Sequence, residues 1–541
     1  MIQKFRHGIT PGNFSYVLTR EVMKKQRNIV NKLGILSFAC LLSIQIQSQG
    51  FSTAGAELFK QKRLWSYSGN AAGIAFDNTR NYSSLQLKYH TEEGNFCRPQ
   101  EGQTIKAFNV SSEGFLNLQK VYVWGAFSFE QENKYDAGYN ASITDPFRGM
   151  PYYVADTHQS NWRNQYYNLK FGIATPRFWN KITFGLKGTY IASLAAKQRD
   201  PRVDSRFYTL ELTPGITYTI NNQHIWGGNI EYTSIKEDSR MGNTNIYTDQ
   251  DYYELYGLGV AMKGIGSGRE TNYYGDKIGA GLQYNYAKPK VNLLFESYYT
   301  MKVEDVNIGF MDPRKDASIK DKQIKAALSM FTTGNKITHH AKLRYIYSRR
   351  DGIQYINQHD NSESESKWIQ LYRSIRSTYQ TRASSADYSL VCNRGDEYNW
   401  KVDVSATYTN NKDEYILPNS TKNSENLYLY VCGKKNIVMG DKLNKRLLLS
   451  ANGGYNKNLS GNYKYGGPHP DYPTVTELET ADSNFQTSDY YRVGISASYS
   501  QQYKADKSAN LFAKAGFEYT KTSDFNFNHR KYLSISIGCL F

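Results

Sequence analysis

Between Lys181 and Leu194 apolar and polar residues alternate. Ile182, Phe184, Leu186, Tyr190, Ala192 and Leu194 share one parity, while Lys181, Thr183, Gly185, Lys187, Thr189 and Ser193 share the other. A period of two marks a strand with one apolar and one polar face. The pattern recurs: Ile278, Ala280, Leu282 and Tyr284 oppose Lys277, Gly279, Gly281 and Gln283, and Val402, Val404, Ala406 and Tyr408 oppose Lys401, Asp403, Ser405 and Thr407. Leu447, Leu449, Ala451 and Tyr455 oppose Arg446, Ser450, Asn452 and Asn456, with Leu448 as a misfit. Tyr491, Val493, Ile495, Ala497 and Tyr499 oppose Arg492, Gly494, Ser496, Ser498 and Ser500. Leu511, Ala513, Ala515, Phe517 and Tyr519 oppose Lys514, Gly516, Glu518 and Thr520, with Phe512 the second exception.

These strands are about twice the usual globular length. Their apolar faces carry Ala, Gly and Tyr as well as large aliphatics. Length, alternation and terminal tyrosines together predict an all-β, transmembrane, antiparallel up-and-down β-barrel: the apolar parity meets lipid, the polar parity a wet lumen, and aromatics the interfaces. Strands are expected near 82–90, 103–110, 115–131, 164–175, 181–198, 206–220, 224–239, 270–287, 291–306, 319–333, 336–350, 369–392, 398–412, 425–438, 445–457, 485–503, 508–522 and 530–541. That is eighteen, within a range of fourteen to eighteen. Longer links, including 132–163, 240–269, 307–318, 351–368, 413–424 and 458–484, alternate with short turns such as those at Asn221, Lys288 and Gly334. Short turns on one side and long loops on the other, with an even strand count, put both termini in the periplasm.

Composition agrees. Of 541 residues 40% are hydrophobic, yet 14% are aromatic and 46 are tyrosine. One texture runs from about residue 81 to 541, which is expected to be the barrel. Residues 1–49 read as an upstream extension and signal peptide: Met23, the expected true start, is followed by Lys24, Lys25, Arg27 and Lys32 and then an apolar run from Leu33 to Ile44, too short to span a bilayer. Cys40 lies within that run and lacks a convincing lipobox. The formal charge of +17 falls to about +11 without residues 1–50, which hold seven Lys/Arg and one Glu. A mild bias without a dense basic block, on a secreted chain, argues against nucleic acid as a partner. Cys97, Cys392, Cys432 and Cys539 are widely spaced with no C-x-x-C, giving neither a disulfide framework nor a zinc site.

The terminal stretch "RKYLSISIGCLF" alternates Leu533, Ile535, Ile537 and Cys539 with serines and glycine and stops on Phe541. It resembles the C-terminal assembly signal of Gram-negative outer-membrane β-barrel proteins, porins and transporters among them. The resemblance implies that Leu533, Ile535, Ile537 and Phe541, with Tyr532 nearby, are recognised by the barrel-insertion machinery and that the last strand closes on the first. Cys539 departs from the commoner aliphatic or aromatic. A weaker resemblance lies in "LWSYSGNAAGIAFDN", residues 64–78, which is similar to the Asn-Pro-Ala-Gly segment in the N-terminal hatch of outer-membrane long-chain fatty-acid transporters; Asn70, Ala72 and Gly73 match, and Ala71 replaces the proline. For residues 50–80 two readings stand, a lumen plug or a periplasmic tail.

The expected function is an outer-membrane channel or transporter for a small nutrient solute, accessory to an energised uptake system. Alternatives are a hydrophobic-ligand transporter of the fatty-acid kind, a non-transporting adhesin or assembly barrel, and an outer-membrane hydrolase. Lys181, Lys187, Lys277, Lys401, Arg446, Arg492 and Lys514, against Asp403 and Glu518, are candidate lumen-lining residues, and their excess of cations would favour anionic solutes. The Tyr135–Gln165 loop either folds into the mouth or packs on the surface; Tyr252–Gly268 would contact lipid, a partner or its own barrel; "HDNSESESK" at 359–367 reads as a hydrated tip. His158 near Asp156 and His359 near Asp360 are weak catalytic pairings, and H-E-x-x-H, G-x-S-x-G and P-loop motifs are absent. His339 and His340 are neighbours on one strand and face opposite sides. No catalytic residue, metal or cofactor is expected. Implied partners are outer-membrane lipid and lipopolysaccharide, the barrel-assembly machinery, a small solute and a second outer-membrane transport component.

Overall fold

Eighteen strands close on themselves in one antiparallel sheet, and three short strands form a second sheet. This computed structural model describes residues 51–541 apart from 78–79, 119–120, 222, 246, 248, 267, 310–312, 361–366, 441–443 and 504–508. The expected leader, Met23 and Cys40 included, and the tip at 361–366 lie outside the described residues.

The wall begins with β1 (Tyr82–Glu93), β2 (Thr104–Asn117) and β3 (Tyr122–Ala137). After the short β4 (Tyr153–Ala155) it continues with β5 (Ser160–Ala174), β6 (Ile182–Lys197), β7 (Arg202–Asn221) and β8 (His224–Gly242). The hairpin β9 (Gln250–Gly257) and β10 (Val260–Gly266) interrupts it before β11 (Gly268–Ala287), β12 (Val291–Ile308), β13 (Arg314–Thr332) and β14 (Ile337–Asp360). The remainder is β15 (Lys367–Arg394), β16 (Glu397–Tyr415), β17 (Ser420–Gly440), β18 (Lys445–Lys464), β19 (Tyr490–Gln502), β20 (Asn510–Lys521) and β21 (His529–Leu540).

Closure is made between β1 and β21, where Leu87 faces Ile537, Tyr89 faces Ile535 and Thr91 faces Leu533. Phe541 extends the seam: its N–H donates to the Ser83 carbonyl at 2.9 Å, and its carbonyl accepts from the Ser83 N–H at 3.1 Å. Leu533, Ile535 and Ile537 turn outward and are exposed. Because the ring is complete, no wall strand is left without a neighbour on either side, which is what the hydrocarbon requires.

The apolar parity is the exposed one, and the polar parity faces inward. On β7 Leu210, Leu212 and Ile216 are exposed, whereas Thr213 and Thr217 are buried. Tyr208 and Tyr274 bound this outer face toward the loops, and Tyr218 and Trp226, which oppose each other across β7 and β8, bound it toward the turns. Ten residues separate Tyr208 from Tyr218, and at about 3.3 Å per residue and a tilt of about 40° they rise about 25 Å, the height of an outer-membrane apolar band. The protein is therefore an integral outer-membrane β-barrel.

The strand count expected from the pattern is the one observed, but several strands run further than the pattern showed. The expected links 307–318, 351–368 and 413–424 shrink to 309–313, 361–366 and 416–419. Beyond the apolar band the ladder continues into water, where its hydrogen bonds still form but neither face needs to be apolar. Alternation, which is a lipid signal, therefore stops before the strand does. The expected strand 485–503 begins later, at Tyr490, because residues up to Gln486 are helical.

A charge placed on the outer face tests this orientation. Ile230 is 67% exposed on β8 and faces Ala280. Ile230→Arg is expected to cost about 2–4 kcal/mol near the bilayer midplane, read by urea unfolding of the vesicle-reconstituted barrel; an unchanged midpoint would place this face elsewhere than in lipid.

Candidate functional site

Residues 51–77 lie inside the ring at the short-turn end. Helix α1, Thr53–Gln61, is capped by Ser52, whose Oγ accepts from the Gly55 N–H at 3.1 Å. Its Ala54 and Leu58 pack on Val391, Tyr398 and Leu448 of the wall. Leu448, the misfit in the alternation of β18, is thus an inward apolar side chain matched to this helix. Phe512, the other misfit, packs against a cluster containing Phe51, Ala56, Ala71 and Ile74. Glu57 accepts from the Tyr398 hydroxyl at 2.7 Å and from Lys434 Nζ at 2.9 Å. Burial pushes its carboxyl up, but Lys434 and Tyr398 outweigh that and hold it below the usual glutamate range.

After α1 the chain makes two 3-10 turns, Trp65–Tyr67 and Ala71–Phe76. Asp77 closes them into a loop, accepting from the N–H groups of Trp65 at 3.2 Å and Ser66 at 2.7 Å. Burial raises its carboxyl to about 6 despite these donors and Arg63.

The sequence-matched Asn70, Ala72 and Gly73 sit at the centre of this arrangement, and all three are buried. Asn70 Nδ2 donates to the carbonyls of Ile216 (3.0 Å) and Gly228 (3.1 Å) and to Gln283 Oε1 (2.9 Å), while its Oδ1 accepts from the Ala72 N–H at 3.0 Å. Wall glycines make room: a Cβ at Gly185 would lie 2.1 Å from the Ala72 nitrogen, and one at Gly215 would lie 2.2 Å from Asn70 Oδ1. Gly73 has the same role within the segment, since a Cβ there would strike the Trp65 ring at 1.8 Å. All backbone–backbone hydrogen bonds of residues 51–77 among the described residues are internal. Side chains alone hold the segment to the wall.

Most of the candidate cations on the inner face are already paired. Lys277 bridges to Glu231 and, at 3.7 Å, to Glu211; Lys401 meets Asp403 at 3.1 Å; Arg446 meets Glu397 at 2.9 Å. Lys187 donates to the Ser68 carbonyl at 3.2 Å, and Arg492 to Thr520 Oγ1 at 3.0 Å. Lys181 is exposed in the turn before β6, and Glu518 is half-buried on β20. The Lys514 side chain has no hydrogen-bond or ion-pair partner among the described residues. Among the described residues a uniform cationic lining is therefore absent; the sequence offered the cations and Asp403, but not Glu211, Glu231 and Glu397, which pair with Lys277 and Arg446.

At the other end three long loops fold over the mouth. β4 pairs with β9, so the 138–159 loop joins the β9–β10 hairpin. A π-helical turn, Thr474–Glu479, and helix α2, Thr480–Gln486, supply the third part. The Tyr135–Gln165 region does enter the barrel: Arg148 reaches two buried wall carboxylates, Glu237 at 2.9 Å and Glu304. Within the apolar Tyr252–Gly268 stretch Leu255 and Leu258 are buried, Leu255 among Tyr139, Ala155 and Leu478 of the other mouth loops, while Met262 and Ile265 are exposed. Asp482 binds Arg98 and, at 2.9 Å, Lys422, which also meets Glu479 at 2.5 Å. Burial alone would raise the Asp482 carboxyl; Lys422 and Arg98 bring it down to about 2. Under this cover lies a cavity of about 360 Å³, lined by Phe147, Met150 and Leu258 on the loops and by Tyr379, Asn411 and Asp413 on the wall. The sequence pairing of His158 with Asp156 exists at 3.3 Å, but the same carboxylate also accepts from Lys197 at 2.6 Å, a buried structural pair. His339 turns outward to the Tyr388 hydroxyl at 2.7 Å, while His340 is half-buried beside Phe331.

The chain belongs to the family of unknown function DUF6850, which it matches over residues 71–541. No curated protein matches it. Among solved structures it is similar to a FadL homologue of Pseudomonas aeruginosa (12% identity, 91% of this chain and 97% of that one, TM-score 0.30). It is also similar to OccAB3 of Acinetobacter baumannii (9%, 85% and 99%, TM-score 0.33) and to the ferric citrate transporter FecA in its unliganded form (8%, 85% and 78%, TM-score 0.39). Likeness at this level says nothing about what the present chain carries.

Two outcomes follow from these contacts. Asn70→Ala removes three wall contacts and leaves the buried Gln283 amide oxygen short of a donor, costing about 1–3 kcal/mol; residues 51–77 should become protease-sensitive in a barrel that still migrates as folded on a gel. Asp482, with its folded pKa below the unfolded value near 3.8, contributes stability that is present above about pH 4 and is lost as pH falls toward 2. Acrylamide quenching of a fluorophore attached beforehand to an Asn411→Cys variant should therefore stay weak at neutral pH and rise as pH falls from 4 toward 2, whereas adding Asp482→Asn should give strong quenching already at pH 7.

Proposed function

We propose that this protein is an outer-membrane transporter for a small nutrient solute in which residues 51–77 serve as a plug and the three mouth loops as a lid. The observation that carries this reading is the attachment of the inner segment: it fills the turn end of the ring yet shares no backbone ladder with the wall. A purely structural insert would gain by pairing with the sheet, whereas a movable one is held by separable side-chain contacts. The cavity beneath the lid supports a solute of modest size entering from outside. Its mixed lining of rings, amides and charges, like the ion pairs of the inner wall, favours a polar solute over the hydrophobic-ligand alternative. Delivery by, or handover to, a second outer-membrane component fits a lid that needs a trigger.

Planar-bilayer recording of the whole chain and of a variant lacking residues 51–77 tests the reading. The whole chain should show no steady conductance steps, and the deletion should conduct. A folded deletion variant as silent as the whole chain would remove the plug from the account.

A further inference from the structure

A second cavity, of about 240 Å³, lies between α1 and the inner wall at the turn end. Its lining includes Thr53 and Lys60 of α1, Lys434 of β17, Ser496 and Ser498 of β19, and Lys514 of β20. Lys60 is neutralised by Glu113, and Lys434 by Glu57 at 2.9 Å. Lys514 is left over, giving the cavity one uncompensated positive charge. Ser498 is only 3% exposed, and its Oγ has no hydrogen-bond partner; the Thr53 Oγ1 is buried and unpartnered as well. Buried hydroxyls without partners cost stability unless something else satisfies them. A cation, itself exposed on the inner face of β20, and two idle hydroxyls lining the same cavity form the donor set for an oxyanion.

We propose that this cavity binds a small oxyanion, as a carboxylate or phosphate group, with Lys514 supplying the charge and Ser498 and Thr53 donating hydrogen bonds. The Lys60–Glu113 and Lys434–Glu57 pairs flank the site and keep α1 in place while leaving its own charge unchanged. Because the cavity borders both α1 and the wall, an anion there would bridge segment and barrel. As a statement of substrate class this rests on the transporter reading; the binding itself does not.

Isothermal titration of the detergent-solubilised full chain with inorganic phosphate and, separately, with acetate tests it. At least one anion should bind saturably at one site. Lys514→Ala should weaken it by about tenfold or more, as expected for loss of a charge-assisted hydrogen bond. Lys514→Arg should largely retain it, and Ser498→Ala should weaken it to a smaller degree. Which anion binds tells carboxylate from phosphate. Saturable binding of neither, or equal affinity in a Lys514→Ala barrel that migrates as folded, overturns the proposal. Should Lys514→Ala not assemble, Ser498→Ala decides, with unchanged affinity counting against the site. Binding is measured without flux, so a barrel that binds but transports nothing refutes the transporter reading and leaves the site standing.

Discussion

Every peptide group within the apolar band must find its partner inside the protein, because lipid offers none. That demand is met by the seam between β1 and β21, where ten residue pairs from Ser84–Leu540 to Glu93–Lys531 turn a sheet into a ring. The rest follows from closure. A closed sheet has an inside, and once its backbone is satisfied by its own ladder, the inward side chains are free to be polar. The outward ones are not. This is why the polar parity can carry Lys277 beside Glu231, or Asn229 beside Gln283, at depths where an outward charge would be costly.

The wall and its inserts are held by different physics. Each wall strand is bound to two neighbours by a continuous ladder, so the ring can open only by breaking many bonds together. Residues 51–77 are instead seated by shape and by single contacts: glycines at Gly185 and Gly215 that admit the backbone near Asn70, the Asn70 amide reaching two wall carbonyls, and Glu57 beneath Tyr398 and Lys434. Such contacts can be lost and remade without disturbing the ladder. In the transporter reading proposed above, that difference is what would let the inner segment move while the wall stays intact.

Alternation made the barrel legible because lipid imposes it; eighteen strands and their short turns could be read from parity alone. Parity was silent where lipid was absent. β14 continues through the polar stretch 351–360, and β15 begins at Lys367, as ladder in water, where 351–368 read as loop. The interior was half legible. Lys187, Lys401, Asp403 and Arg446 could be placed inward, but Ser68 and Glu397, the partners of Lys187 and Arg446, come from other segments that only the fold brings to them. Glu237, Glu304 and Arg148 were missed because no local pattern links a loop arginine to two strands. A signal for the inner segment was nonetheless present: Leu448 and Phe512 broke the alternation, and both touch residues 51–77 or pack on a cluster that contains them. Apolar exceptions on the wet parity of a barrel strand mark where something apolar sits inside.

The mouth loops raise a separate question, since their anchors are buried ions. Removing Arg148, Glu237 and Glu304 from water costs each of them several kcal/mol, and their mutual attraction only roughly repays it. Such a triad gives little net stability but strong placement, because any position that leaves one charge unpaired is heavily penalised. The same holds for Arg98, Lys422, Glu479 and Asp482. The lid is thus positioned sharply by these charges without being locked by them, apolar contacts such as Leu255 with Leu478 supplying the adhesion. Ion pairs therefore decide where the mouth loops sit, and apolar contacts decide how firmly they stay there.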